Sequence, residues 1–199
     1  KMRHNRKIIY LAGFLFSMPI ALTSYINSSL LESYISQYYV GVLYIIASSI
    51  TIIAMLEMHR LLNWLGNRFT TILFSALLFL SLLILSFSHS SILSIGAFIL
   101  YFISTNFIIA SLDIFVEDFS KNSSIGRFRG FYLMVMSSAW VIAQMISGSV
   151  IAKSSYGGIY LLSSLFMILV CAIFILFLRD FKDPKYNRIP VLKTVKTFI

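Results

Sequence analysis

The groups able to do chemistry sit at the ends of the chain's apolar stretches, and they form charge pairs more readily than they form a catalytic centre. Asp113 and Glu117 are four residues apart, which puts both carboxylates on one face of a helix. Arg60, Arg68, Arg127 and Arg129 fall at the same level of the sequence pattern. Acids and bases at that level suit a latch that closes in one conformation and opens in another; as plain headgroup-level charges, each pair is worth under about 1 kcal/mol. His4, His59 and His89 occupy three separate segments, so they do not suggest a shared metal site. P-loop, HExxH, CxxC and GxSxG patterns are all missing, and Cys171 is the only cysteine. The expectation is therefore a protein that is not an enzyme and needs no cofactor.

A second set of polar groups lies inside the apolar stretches. Ser17, Ser24, Asn27 and Ser28 recur at helical spacing in the first, and Ser94, Tyr101, Ser104 and Thr105 in the fourth. The fifth carries Ser137, Trp140, Gln144 and Ser147 on one face, beside a small-residue ridge of Ala139, Ala143 and Ser147 that suits helix packing. Polar groups facing lipid are penalised, so these stripes are expected to point inward. Ser24, Asn27, Tyr101, Ser104, Trp140 and Gln144 are the candidate contacts for a small solute, with interhelical hydrogen bonding as the plainer role. Asn106 falls on a different face from Tyr101 and reads as a helix-to-helix hydrogen-bonding residue. No Asp, Glu, Lys, Arg or His lies near the middle of any stretch, so a bound solute would meet hydroxyls, amides and rings.

These residues need long apolar helices to position them. The chain is 59% hydrophobic and 12% charged, with mean hydropathy +0.89, which is too apolar for a soluble domain of this length. Six stretches, 8–30, 39–58, 69–87, 91–112, 131–152 and 156–178, are each near the ~20 residues that a helix needs to cross a bilayer. Strands of a membrane barrel would be about half as long. Of the 16 Lys and Arg, all except Lys153 fall on one side if the N-terminus is cytoplasmic. By the positive-inside rule both termini are then cytoplasmic. The net charge of +9 is spread over four segments, which fits topology and anionic headgroups better than a nucleic acid. The fold class expected is an all-α integral membrane protein with six transmembrane helices. They divide into two sets of three at the connection 113–130. In each set the third helix is the most apolar, suiting a lipid-facing rim, and the first carries the polar stripe. That is the 3+3 repeat layout described for half of a secondary transporter. Pro19 is expected to kink or loosen the first helix.

The segment between the second and third stretches, His59, Arg60, Leu61, Leu62, Asn63, Trp64, Leu65, Gly66, Asn67, Arg68, resembles the signature loop of the major facilitator superfamily. That signature runs roughly Gly, x, Leu, x, Asp, Arg, x, Gly, Arg, Arg. Leu61, Gly66 and Arg68 match, Asn63 takes the acidic position, and His59, Trp64 and Asn67 depart. The segment Ser124 to Gly130, with Arg127 and Arg129, resembles the family's entry into its fifth helix. The resemblance implies a 3+3 inverted repeat, alternating-access transport of a small solute and a C-terminal six-helix half as partner. It also implies that the charges of the two inner loops hold the cytoplasmic side closed. The antiporter motif of the fifth helix is absent except for Gly148.

The transmembrane unit is expected over 1–180. Asp183 and Pro184 end the helical region, and 181–199 reads as a basic cytoplasmic linker. Within it, Val191, Leu192, Val195, Phe198 and Ile199 oppose Lys193 and Lys196 as an amphipathic segment on the inner membrane surface. An amphipathic pattern cut after about two turns suggests a continuing chain. A multi-pass protein of the plasma membrane, of the prokaryotic inner-membrane kind, fits these features. The alternatives are a six-helix protein that dimerises and a membrane scaffold without transport.

Overall fold

The computed structural model describes residues 2–119, 125–179, 181 and 183–187. Seven helices and no strand occur among the described residues. They are α1 (Met2–Ser24), α2 (Ile26–Glu32), α3 (Gln37–Leu56), α4 (Met58–Leu65), α5 (Asn67–Phe87), α6 (Ser91–Phe119) and α7 (Ile125–Leu176). Five of them are long and apolar enough to cross a membrane. The last is broken at Ser155, where φ is 65° and ψ −175°, so its limbs 125–154 and 156–176 each have the length of one span.

The limbs fold back on one another. Phe128 in the first limb lies against Tyr10 near the start of α1, and Phe174 in the second stacks on Phe115 near the end of α6. The reversal is tight because Gly157 comes up against α5: a Cβ there would lie 2.9 Å from the Ser86 carbonyl oxygen, whose own hydroxyl donates to the Gly157 carbonyl at 2.8 Å. A non-glycine residue at positive φ is costly, so Ser155 is held by the packing on both sides of it.

Several expected boundaries shift. The first stretch is two helices, continuous through Pro19 and interrupted at Tyr25. The segment expected as a loop between the second and third spans contains α4, because Met58, Leu61, Leu62 and Leu65 recur at helical spacing; Met58 and Leu62 are buried. The fourth span extends to Phe119, so Asp113 and Glu117 stand on the helix itself, both exposed. The amphipathic segment beyond Pro190, together with Ser124 and Lys121, lies outside the described residues.

The core runs the length of the bundle, with Phe16, Phe98, Phe115, Tyr160 and Phe174 fully buried. The third span does not form the rim that its composition suggested. α5 sits between α6 and α7 and buries Thr70, Thr71, Ser75 and Ser81. Small hydroxyl residues let helices approach closely, so the scattered serines and threonines outweigh the apolar average in deciding where that helix goes. The least covered span is α3, with 22% of its window buried against 61% for α1. It exposes Ile45, Ile46, Ile50, Ile52 and Ile53, and the first limb of α7 exposes Val141, Ile142 and Met145. Apolar faces of that extent belong in hydrocarbon or against another helical unit.

Candidate functional site

Polar groups gather at two levels of the bundle. At mid-depth, Ser24 and Asn27 lie on either side of Tyr25, where α1 passes into α2 with the backbone still in the helical region (φ −87°, ψ −19°), and both face α6. Ser24 donates to the Ala21 carbonyl at 3.0 Å, and Gln144 donates from its amide to the same carbonyl at 3.1 Å. Asn27 is buried, and its Oδ1 accepts from the Tyr160 hydroxyl at 2.7 Å. Thr23 donates to the Pro19 carbonyl at 2.8 Å and also lies 2.8 Å from the Tyr101 hydroxyl.

Between these helices is a cavity of about 220 Å³. Ser24, Asn27, Tyr44, Tyr101, Thr105 and Asn106 supply its polar atoms. Thr105 is 8% exposed, and its hydroxyl interacts with the Tyr101 side chain but makes no well-formed hydrogen bond. No Asp, Glu, Lys, Arg or His lines the cavity.

Three of the six candidate solute contacts, Ser24, Asn27 and Tyr101, therefore meet in one cavity. Gln144 reaches its edge through the shared Ala21 carbonyl. Ser104 is fully buried beside it but is not part of the lining, and Trp140 is 37% exposed on the outer face of α7. Asn106, expected on a separate face, lines the cavity with its amide folded onto the Phe102 carbonyl at 2.8 Å. The reason is geometric: 101 and 105 form one row along a helix, 102 and 106 the adjacent one, and the cavity spans both. Tyr44 was missed. A tyrosine in an otherwise aliphatic stretch of the second span was the signal that could have found it.

The second level is the end of the bundle where α4, the start of α5 and the end of α7 meet, called inner here because the charge pattern leads one to expect it on the cytoplasmic side. Arg68, in the first turn of α5, donates from Nε to the Phe174 carbonyl at 2.8 Å and from Nη2 to the Ile175 carbonyl at 2.7 Å. These are among the last carbonyls of α7, which have no partner within the helix and carry the negative end of its dipole. In return, Asp183, just beyond α7, accepts from the backbone N–H of Asn67 at 2.6 Å, where α5 begins. Each helix end is thus capped by a charge from the other's neighbourhood.

Gly66 makes this exchange possible. Its φ of +79° suits glycine, and a Cβ there would stand 2.6 Å from the Asp183 carboxylate. Asn63 closes the same clasp: its amide donates to the Tyr186 carbonyl at 2.7 Å, and its Oδ1 accepts from the Tyr186 N–H at 3.2 Å. The Tyr186 hydroxyl donates to Asp183 at 2.8 Å. Burial, and then the Asp183 and Asp118 carboxylates, push that hydroxyl's pKa up from its ordinary value.

Of the residues expected to form an inner latch, Asn63, Gly66 and Arg68 come together in this clasp. Arg60 pairs locally with Glu57 at 2.9 Å. Asp113, Glu117, Arg127 and Arg129 are exposed. No ion pair joins Arg68 to Asp113 among the described residues. Nor do the described residues contain any group of three or more His, Cys, Asp or Glu able to hold a metal ion. The molecule is thus a helical bundle of membrane-spanning type with an uncharged central cavity. Compared with protein-family models and with curated proteins, the chain matches no family model and no curated protein.

Proposed function

We propose that this chain is the N-terminal six-helix half of a secondary transporter of the major facilitator type, moving a small solute by alternating access. In this reading the helices form a 3+3 inverted repeat in a prokaryotic inner membrane, with both termini cytoplasmic and a C-terminal six-helix half as partner. The observation that carries it is the mid-depth cavity where Ser24 and Asn27 from the first span face Tyr101, Thr105 and Asn106 from the fourth. Solute sites of such transporters lie near the bilayer midplane between the helices of the repeats; here Ser24 and Asn27 lie one on each side of Tyr25, where α1 passes into α2. The clasp at the inner end supports the same reading, since a rocking bundle needs its helix ends tied together as one body. Solute enters against hydroxyls and amides, and the rings of Tyr44 and Phe102 bound it on one side.

The test uses the chain together with the C-terminal half the reading requires, with Ser24→Cys in an otherwise cysteine-free background (Cys171→Ser included), in sealed vesicles treated with a membrane-impermeant maleimide from either side. Alternating access requires Cys at this position to react from both sides, with the two rates changing in opposite directions when solute is added. Reaction from one side only, unaffected by any solute, would return the chain to the scaffold reading.

A further inference from the structure

A second cavity, larger than the one at mid-depth, lies at the inner end, between the last turn of α3, α4 and α6, with residues 185–187 along its outer side, and has a volume of about 520 Å³. That is within the ~300–1,000 Å³ range of sites for small molecules. Its floor is apolar: Met55, Met58, Leu62 and Ala110. Lys185 and His59 also line it, and among the described residues no acidic side chain does. Lys185 is exposed and His59 half-buried. Acids stand near it without lining it, Asp118 among them, whose charge acts on the Tyr186 hydroxyl. Asp183 accepts from the Asn67 N–H and the Tyr186 hydroxyl, and Glu57 is paired with Arg60.

We propose that this cavity binds an anionic phospholipid of the inner leaflet, with the upper part of one acyl chain on the Met55, Met58 and Leu62 floor and the phosphate at Lys185. Three observations combine. First, an apolar floor beneath a cationic lining matches an anionic amphiphile from end to end, whereas a wholly polar solute would leave the floor unsatisfied. Second, the cavity sits beside the exposed isoleucines of α3, including Ile52, which itself contributes to the lining, so an acyl chain reaches it sideways without crossing polar ground. Third, the outer wall is built rather than incidental: the two hydrogen bonds between Asn63 and the Tyr186 backbone hold residues 185–187 against α4. Basic pockets between spans on the cytoplasmic side are a recurrent way of holding anionic headgroups, at about 1 kcal/mol per cation. A bound lipid would thereby stabilise the clasp, because the segment that holds the phosphate, 183–187, is the segment that caps α5.

The experiment titrates phosphatidylglycerol, and separately phosphatidylcholine of the same acyl chains, into the purified full chain in detergent. Thermal unfolding and native mass spectrometry are the readouts. Phosphatidylglycerol should raise the unfolding midpoint and remain bound as a single adduct, with phosphatidylcholine clearly weaker. Lys185→Ala should weaken the phosphatidylglycerol effect roughly fivefold in affinity, and Lys185→Arg should keep it. Ala110→Phe, which fills the floor, should abolish the single adduct. Lys185 is exposed, so neither of its variants threatens folding. Equal shifts with the two lipids, or a phosphatidylglycerol preference that survives Lys185→Ala, would overturn the assignment.

Discussion

The mid-depth cavity and the inner clasp are both built from polar groups, but they spend them differently. In the clasp, the charged and amide side chains Arg68, Asp183, Asn63 and Tyr186 are all engaged, with one another or with backbone ends, while Asn67 Oδ1 and the Thr70 hydroxyl beside them are buried without a partner. In the cavity wall the Thr105 hydroxyl, and next to it that of Ser104, are buried without a well-formed hydrogen bond. A mutually engaged network rigidifies, while a polar group left unpaired in a low-dielectric interior is costly unless something fills the vacancy. The contrast separates a region whose polarity holds structure from one whose polarity is available to a solute. Charge follows the same division. The clasp uses full charges at headgroup depth, where water screens them, and the cavity has none at the depth where an isolated charge would be most penalised.

The comparison can be broken at several points. The largest effect is expected for Arg68→Ala, which removes two charge-assisted bonds to the end of α7 and should cost about 2–3 kcal/mol of unfolding free energy. Arg68→Lys should recover less than half of it, because one ammonium cannot serve both carbonyls with the geometry of a guanidinium. Unfolding of the detergent-solubilised protein measures both.

Gly66→Ala follows at about 1–2 kcal/mol, from the positive φ and the contact with Asp183. In combination with Asp183→Ala the penalties should be non-additive by more than about 0.5 kcal/mol, since one change removes the atom the other meets. Additive penalties would mean that the two residues do not share a strained contact. Asn63→Asp should cost about 1 kcal/mol, because a carboxylate accepts from the Tyr186 N–H but repels the Tyr186 carbonyl. That result would identify Asn63 as a fit to its backbone partner.

The smallest effect on stability belongs to the cavity. Thr105→Val should change unfolding by no more than about 0.5 kcal/mol, because a hydroxyl without a well-formed hydrogen bond is replaced by a methyl of the same shape. Under the transport reading it should alter the solute dependence of labelling at position 24. If Thr105→Val destabilises as much as Asn63→Asp, the cavity's polarity is structural and the contrast drawn above disappears.

Much of the architecture was legible because hydrocarbon imposes strict rules on sequence. A backbone crossing a bilayer satisfies its own hydrogen bonds, so apolar runs of about 20 residues mark helices within a residue or two, as for α3 and α5. The polar stripes were legible for the same reason, and Ser24, Asn27 and Tyr101 do share a cavity. What helical periodicity could not supply was the neighbour. It set Asn106 apart from the candidate contacts because it ranks faces within one helix, whereas the cavity spans two adjacent rows where α1, α3 and α6 diverge. It placed α5 at the rim because an average hydropathy does not distinguish serines that face lipid from serines that face a helix.

By itself, then, the sequence determined that the chain is a bundle of membrane-spanning helices with its cations gathered to the span ends, because the transfer of charge and backbone into hydrocarbon is decided residue by residue. Only the tertiary structure decided the partners. Arg68 caps α7 and Asp183 caps α5 across more than a hundred residues of chain. That pairing depends on how two helix ends meet, and no local pattern of residues encodes the distance between them.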